Sequence, residues 1–136
     1  MKKYATAVWN GSGKEGSGQL TSESNALNNT KYSYATRFTD EKGSNPEELI
    51  AAAHAGCFCM KLSFVLGEAG FTPDSLEARA TVTLESSGIT GSALSLKAKV
   101  PGISPEKFKE CTEAAKNECP VSKALNVPVT LESALV

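Results

Sequence analysis

The run Asn45-Pro46-Glu47-Glu48-Leu49-Ile50-Ala51-Ala52-Ala53-His54-Ala55-Gly56-Cys57-Phe58 constrains the fold more than any other segment. Asn45 is a good helix N-cap, Pro46 fits the first helical position, and Glu48 stands where a capping box wants a carboxylate. A helix is predicted from there to about Leu66, with Gly67 or Gly70 ending it. Five of the six residues from Ala51 to Gly56 are small. A helix or sheet can therefore approach this backbone closely, which suits a helix at the centre of the fold.

The flanking segments are read from their periodicity. Tyr4 to Trp9 reads as a strand, the stretch from Asn10 to Gly18 as a turn, and Gly18–Thr21 and Tyr32–Phe38 as further strands, so the first third is expected to be antiparallel β. Leu76, Ala78, Ala80, Val82 and Leu84 alternate with polar residues, and Leu94, Leu96, Ala98 and Val100 do so again after Ser86-Ser87-Gly88, predicting a hairpin with one buried face. Ser104 and Pro105 open a second helix that carries Phe108, Cys111, Ala114 and Ala115 and ends near Cys119, because the residue before Pro120 avoids the α region. A turn over Val121–Leu125 leads to a last strand with Val127, Val129 and Leu131. This order predicts an α+β fold with antiparallel sheet in a single domain spanning residues 1–136.

Composition narrows the function. Fourteen Lys and Arg nearly balance fifteen Asp and Glu, leaving a net charge of −1. No basic field is available to hold a nucleic-acid backbone. The start of the chain lacks the apolar stretch of a signal peptide, and no segment is read as a membrane span, so a soluble cytoplasmic protein is expected. The Gly-rich turn from Gly11 to Gly18 lacks the Gly-Lys-Ser/Thr ending of a phosphate loop. One histidine and no C-x-x-C pair argue against a metal site.

Four cysteines remain, and without dense spacing they fit reduced or redox-active thiols better than a structural framework. Cys57 and Cys59 point about 200° apart on a helix. Cys111 and Cys119 lie about 12 Å apart if their helix is continuous, too far for a disulfide. Cys57 with Cys119 is the best long-range pair. If Pro120 opens a new helical turn, Cys119 becomes its N-cap, where free N–H groups favour a thiolate. Cys57 sits about three turns into its helix and needs a cation, for which His54, Lys61 and Arg37 are the candidates. Each residue also has a plainer reading. Free cysteine packs as a small hydrophobe, Arg37 reads as a solvated surface residue, Glu47 as a partner of the helix dipole, and His54 as a satisfied core histidine.

The segments Glu41–Phe58 and Leu66–Pro73, together with Cys119-Pro120-Val121-Ser122, resemble the osmotically inducible protein C (OsmC) family of thiol peroxidases over nearly the whole chain. The resemblance implies that Cys57 attacks a hydroperoxide, that Cys119 resolves the sulfenic acid, that Arg37 lowers the first thiol's pKa and that Glu47 holds the arginine. It also implies an intertwined homodimer, with antiparallel sheets around two central helices and a site near the interface. No bound cofactor or metal is implied, and an external dithiol would reopen the Cys57–Cys119 disulfide. The sister subgroup of organic hydroperoxide resistance proteins takes its arginine from the early Gly-rich stretch, where this chain has Gln19. The assignment is therefore to the OsmC branch. Cys59 falls where a small hydroxyl residue is expected, and Cys111 matches no family role. Phe58, Met60 and Phe64 favour an organic hydroperoxide over hydrogen peroxide alone. The alternatives are a sensing or binding domain that uses the same cysteines as a switch, and a Cys57–His54 hydrolase.

Overall fold

The computed structural model describes residues Met1–Val136. The chain divides into two compact units, residues 1–49 and 50–136. In the first, strands β1 (Ala5–Asn10), β2 (Ser17–Ser22) and β3 (Thr30–Tyr32) form an antiparallel sheet in that order. Short helix α1 (Tyr34–Phe38) follows. The aromatic alternation of Tyr32–Phe38 predicted a strand, but local capping wins. Ser33 accepts from the Thr36 N–H while the Thr36 hydroxyl accepts from the Ser33 N–H, closing a capping box that turns the chain into a helix. Arg37 is thereby carried on a helix and not at a strand end.

Helix α2 (Pro46–Glu68) begins as expected, with the Glu48 N–H donating to Asn45 Oδ1 at 2.8 Å. It ends in a Schellman turn. The Phe71 N–H bonds the Leu66 carbonyl at 2.8 Å, the Gly70 N–H bonds that of Gly67 at 3.0 Å, and Gly70 takes φ +90°, which glycine adopts without a Cβ clash. The alanine-rich run makes α2 long and apolar enough to cross a membrane by length and composition, a correction to the expectation that no segment is. Within the second unit, however, His54, Phe58, Leu62 and Leu66 recur every four residues and are fully buried. The facing line, Ala52, Gly56, Met60 and Phe64, is exposed.

The second unit's sheet has the order β4 (Ser75–Glu85), β5 (Gly88–Lys99), β6 (Val129–Leu135). The first pair is the expected antiparallel hairpin, with a register shift at Thr83/Leu84. The second pair is parallel, which corrects the expectation of antiparallel pairing there. Helices α3 (Pro105–Glu118) and α4 (Pro120–Ala124) fill the connection between β5 and β6, and a crossover of that length returns the chain to run alongside β5 in the same direction. On β5, Ser92, Leu94, Leu96 and Ala98 face inward and meet Phe58, Leu62 and Leu66 of α2 and Phe108, Cys111, Ala115 and Cys119 of the α3 side in one core.

Burying a leucine side chain completely is worth about 1.5–3 kcal/mol, and truncating one in a packed core adds a cavity term. Leu62→Ala is expected to destabilise the protein by about 2–5 kcal/mol. Denaturant titration followed by circular dichroism should show a lower midpoint with an unchanged slope.

Candidate active site

The four site residues predicted from the sequence form two pairs, one in each unit. In the second unit, Cys57 on α2 and Cys119 at the junction of α3 and α4 bring their sulfurs to 2.8 Å, hydrogen-bonded as free thiols across 62 residues of chain. Their partner choice follows from the core. The four-residue line on α2 that buries Phe58 sets Cys57 beside it, half-buried, and α3 packs Phe108, Cys111, Thr112 and Ala115 inward until Cys119 closes the row fully buried. Pro120 then opens α4, with Cys119 as its N-cap residue.

The two thiols are not equivalent. Burial raises the Cys57 thiol, the hydrogen bond with Cys119 and repulsion from its charge raise it further, and the Val121 N–H offsets only part of this. Burial also raises Cys119. There, however, the hydrogen bond with Cys57, the N–H groups of Ser122 and Val121 and the Ser122 hydroxyl outweigh it, and the thiol falls below its ordinary value.

Neither of the other cation candidates in this unit serves Cys57. Lys61 is paired with Glu118 at 3.0 Å. His54 is fully buried, and desolvation lowers its pKa, so the ring is neutral at pH 7. Its Nδ1 lies 2.7 Å from Ser92 Oγ and its Nε2 2.7 Å from Ser122 Oγ. Sequence reasoning recognised a satisfied core histidine but missed Ser92, whose signal was present: it occupies the polar slot in the inward row Ser92, Leu94, Leu96, Ala98. Cys59 turns its sulfur toward the Leu76 carbonyl at 3.8 Å, and Cys111 is a core residue, so neither meets another thiol. Phe58 is likewise part of the core, while Met60 and Phe64 are exposed.

The first unit holds the third cation candidate. Arg37 on α1 forks onto Glu47, with Nε 3.0 and 3.1 Å from the two carboxylate oxygens and Nη2 2.6 Å from Oε1. Glu47 is buried, and burial alone would raise its carboxyl, but the hydrogen bond and charge of Arg37, with help from the backbone, hold it below the usual range. Arg37 is raised correspondingly, chiefly by that hydrogen bond. The fork fixes the guanidinium plane in a way a lysine could not. Beside it opens a cavity of about 210 Å³ walled by Trp9, Tyr32, Tyr34, Phe38 and Pro46. Gln19 lies on β2, opposite Val8 and Lys31, and is exposed.

Comparison with known proteins gives a consistent assignment. The family described as OsmC-like protein matches residues 39–133. Peroxiredoxin OsmC of Escherichia coli is 47% identical over 97% of this chain and 95% of its own length. The organic hydroperoxide resistance protein OhrB of Bacillus subtilis is 34% identical over 85% of this chain and 88% of its own. Among solved structures, an OsmC-like protein from Mycoplasma pneumoniae superposes with a TM-score of 0.79 at 18% identity, covering 100% of this chain and 98% of that one. The B. subtilis OhrB structure gives 0.65 at 26% identity, covering 98% of each chain.

The Arg37–Glu47 pair makes folding pH-dependent in a defined direction. A carboxyl whose folded pKa is depressed contributes stability that is complete above its ordinary value and lost as pH falls through the folded one. Wild-type stability is therefore expected to decline as pH drops below about 4.3, the ordinary glutamate value. Denaturant midpoints measured across that window should show a shallower decline for Glu47→Gln, which is also less stable at neutral pH.

Proposed function

The chain belongs to the OsmC-like protein family, and on that premise we propose that it is a cysteine-based peroxidase that reduces organic hydroperoxides to alcohols, acting as a cytoplasmic, single-domain homodimer. The observation that carries this reading is the 2.8 Å approach of two free thiols from separate helices, one of them primed toward the thiolate. Peroxide reduction by thiols needs such a pair, one sulfur to attack and a second to capture the sulfenic acid.

In the cycle, the Cys57 thiolate attacks one peroxide oxygen. The O–O bond breaks, the alkoxide leaves and takes a proton to become the alcohol, and Cys57 becomes a sulfenic acid. Cys119 then attacks that sulfur, the S–O bond breaks with loss of water, and a Cys57–Cys119 disulfide forms. An external dithiol restores both thiols by two exchanges. Because burial and Cys119 together raise Cys57, attack at neutral pH needs a cation that the second unit does not supply. Arg37 takes that role in the homodimer, stabilising the thiolate and the charge that develops on the peroxide oxygens, with Glu47 orienting it. The aromatic cavity beside Arg37 suits an organic substituent better than hydrogen peroxide alone.

Support for the dimer comes from α2. Met60 and Phe64 are 66% and 64% exposed, and with Ala52 and Gly56 they form a helix face on which small residues allow close approach. Similarity to peroxiredoxin OsmC extends over 97% of the chain and so across both compact units, which favours one functional domain.

Turnover tests the chemistry. With cumene hydroperoxide and excess dithiol, wild type is expected to cycle, Cys57→Ser to lose turnover by at least a hundredfold, and Cys119→Ser to stop after one oxidation, trapped as sulfenic or overoxidised Cys57. Unchanged turnover in Cys57→Ser would overturn the reading and favour a sensing or binding domain. For the assembly, sedimentation velocity should show a dimer for wild type and a monomer for Phe64→Glu, which places a charge in the proposed contact.

A further inference from the structure

His54 is the only histidine in the chain and is fully buried, yet the cycle above makes no use of it. Its ring is held at both ends by hydroxyls from other elements, Ser92 of β5 at Nδ1 and Ser122 of α4 at Nε2, each at 2.7 Å. A serine hydroxyl donates or accepts, so both contacts hold in either tautomer of the neutral ring. With both nitrogens engaged and Ser92 itself buried, the imidazole cannot swing about its side-chain bonds without leaving a ring nitrogen unpaired in the core.

The placement of these residues repeats that of the thiols. His54 stands three residues before Cys57 on α2, and Ser122 stands three residues after Cys119. Residues three apart on a helix are neighbours on one face. Two rungs therefore join α2 to the start of α4: the sulfurs at 2.8 Å and, one turn away, the imidazole and the Ser122 hydroxyl at 2.7 Å.

The second rung matters because α4 has little else to hold it. The helix is five residues long, and none of its side chains is fully buried. Val121 packs only partly against the core. Cys119 forms the joint between the helices: its N–H ends α3 on the Ala115 carbonyl at 2.9 Å, and its carbonyl receives the Lys123 N–H at 3.0 Å, the first bond of α4. A shift of α4 is passed through that turn to the Cys119 backbone and so to its sulfur. The Ser122–His54 bond ties the turn to the same helix that carries Cys57, and Ser92 ties the ring to the sheet.

We infer that His54 is a positioning residue that, locked between Ser92 and Ser122, clamps the α3–α4 joint against α2 and so sets how fast Cys119 captures an oxidised Cys57. The inference rests on the two-cysteine reading and deepens it. In the step concerned, the Cys119 sulfur attacks the sulfur of the Cys57 sulfenic acid. The S–S bond forms, the S–O bond breaks, and hydroxide leaves as water with the proton that Cys119 gives up. Cys119 is oxidised in this step and the sulfenic sulfur is reduced. Capture must outrun a second peroxide molecule, which would carry the sulfenic acid on to sulfinic acid. An intramolecular attack depends steeply on alignment, and a misplacement of about 1 Å can cost about a hundredfold in rate.

Closure of the pair can be timed without peroxide. In a Cys59→Ser/Cys111→Ala background, a chromogenic nitrobenzoate disulfide reacts first with half-buried Cys57, releasing one coloured thiolate at a rate that rises with reagent. Cys119 then displaces the second from the mixed disulfide at a rate independent of reagent. Ser122→Ala should slow this second phase about tenfold or more while leaving the first unchanged, and Ser122→Thr, which keeps the hydroxyl, should restore it. His54→Leu should slow the same phase, and the double variant should be no slower than the slower single one, as groups joined by one bond require. A second phase unmoved by Ser122→Ala, or both phases slowed alike, overturns the inference. Ser122 is only half-buried, so that variant decides even where His54→Leu fails to fold. Because the reagent replaces peroxide, the two readings fail separately. A wild type that closes the disulfide but consumes no peroxide removes the peroxidase reading and leaves the clamp, whereas an active wild type whose closure ignores Ser122→Ala does the reverse.

Discussion

Everything at the thiol pair depends on one line of side chains. His54, Phe58, Leu62 and Leu66 repeat every four residues along α2 and are fully buried against the inner faces of β5 and α3. This seam fixes the rotation of the helix about its axis, and the rotation decides which neighbours are left half-exposed. A turn of about 100° would carry Cys57 away from Cys119 and His54 away from both serines. The apolar packing that holds the second unit together is thus also the device that sets the Cys57 sulfur at the boundary between core and solvent.

The electrostatics are divided in a way packing alone does not explain. Within the second unit, hydrogen bonds with Cys57 and with backbone N–H groups lower the Cys119 thiol against the effect of burial. In the first unit, Arg37 is held by a buried carboxylate that is itself kept ionised by the arginine. Arg37, itself exposed, is what justifies the burial of Glu47, and removing the arginine would strand a carboxylate in a poorly solvated place.

Much of this was legible in the sequence. Asn45-Pro46 with Glu48 marked the start of α2, the alternation from Leu76 to Val100 marked the β4–β5 hairpin, and Ser104-Pro105 marked α3, because each is a local signal with a local cause. The meeting of Cys57 and Cys119 was reached by eliminating short-range pairs, and the Arg37–Glu47 pairing came through the family resemblance. What escaped was decided by competition or by distance. Tyr32–Phe38 alternates like a strand, yet a two-residue exchange of hydrogen bonds between Ser33 and Thr36 makes its second half helical. The parallel register of β6 depends on how a two-helix crossover returns, which no local pattern encodes. Ser92 lies 38 residues from His54, and a single serine in an apolar strand row does not announce its partner.

The parallel strand also has a bearing on how the molecule comes into being. The Ser92 backbone N–H bonds the Pro128 carbonyl at 3.1 Å, immediately before β6, so the residue that orients the imidazole is itself anchored by the last strand. Parallel pairings separated by long stretches of chain form late, since loop closure must precede any gain from contact. The α2 helix precedes β6 by some sixty residues of chain, so the grip of Ser92 on His54 is completed by a strand from the far end of the sequence. Ordering of the buried imidazole is thereby tied to completion of the sheet.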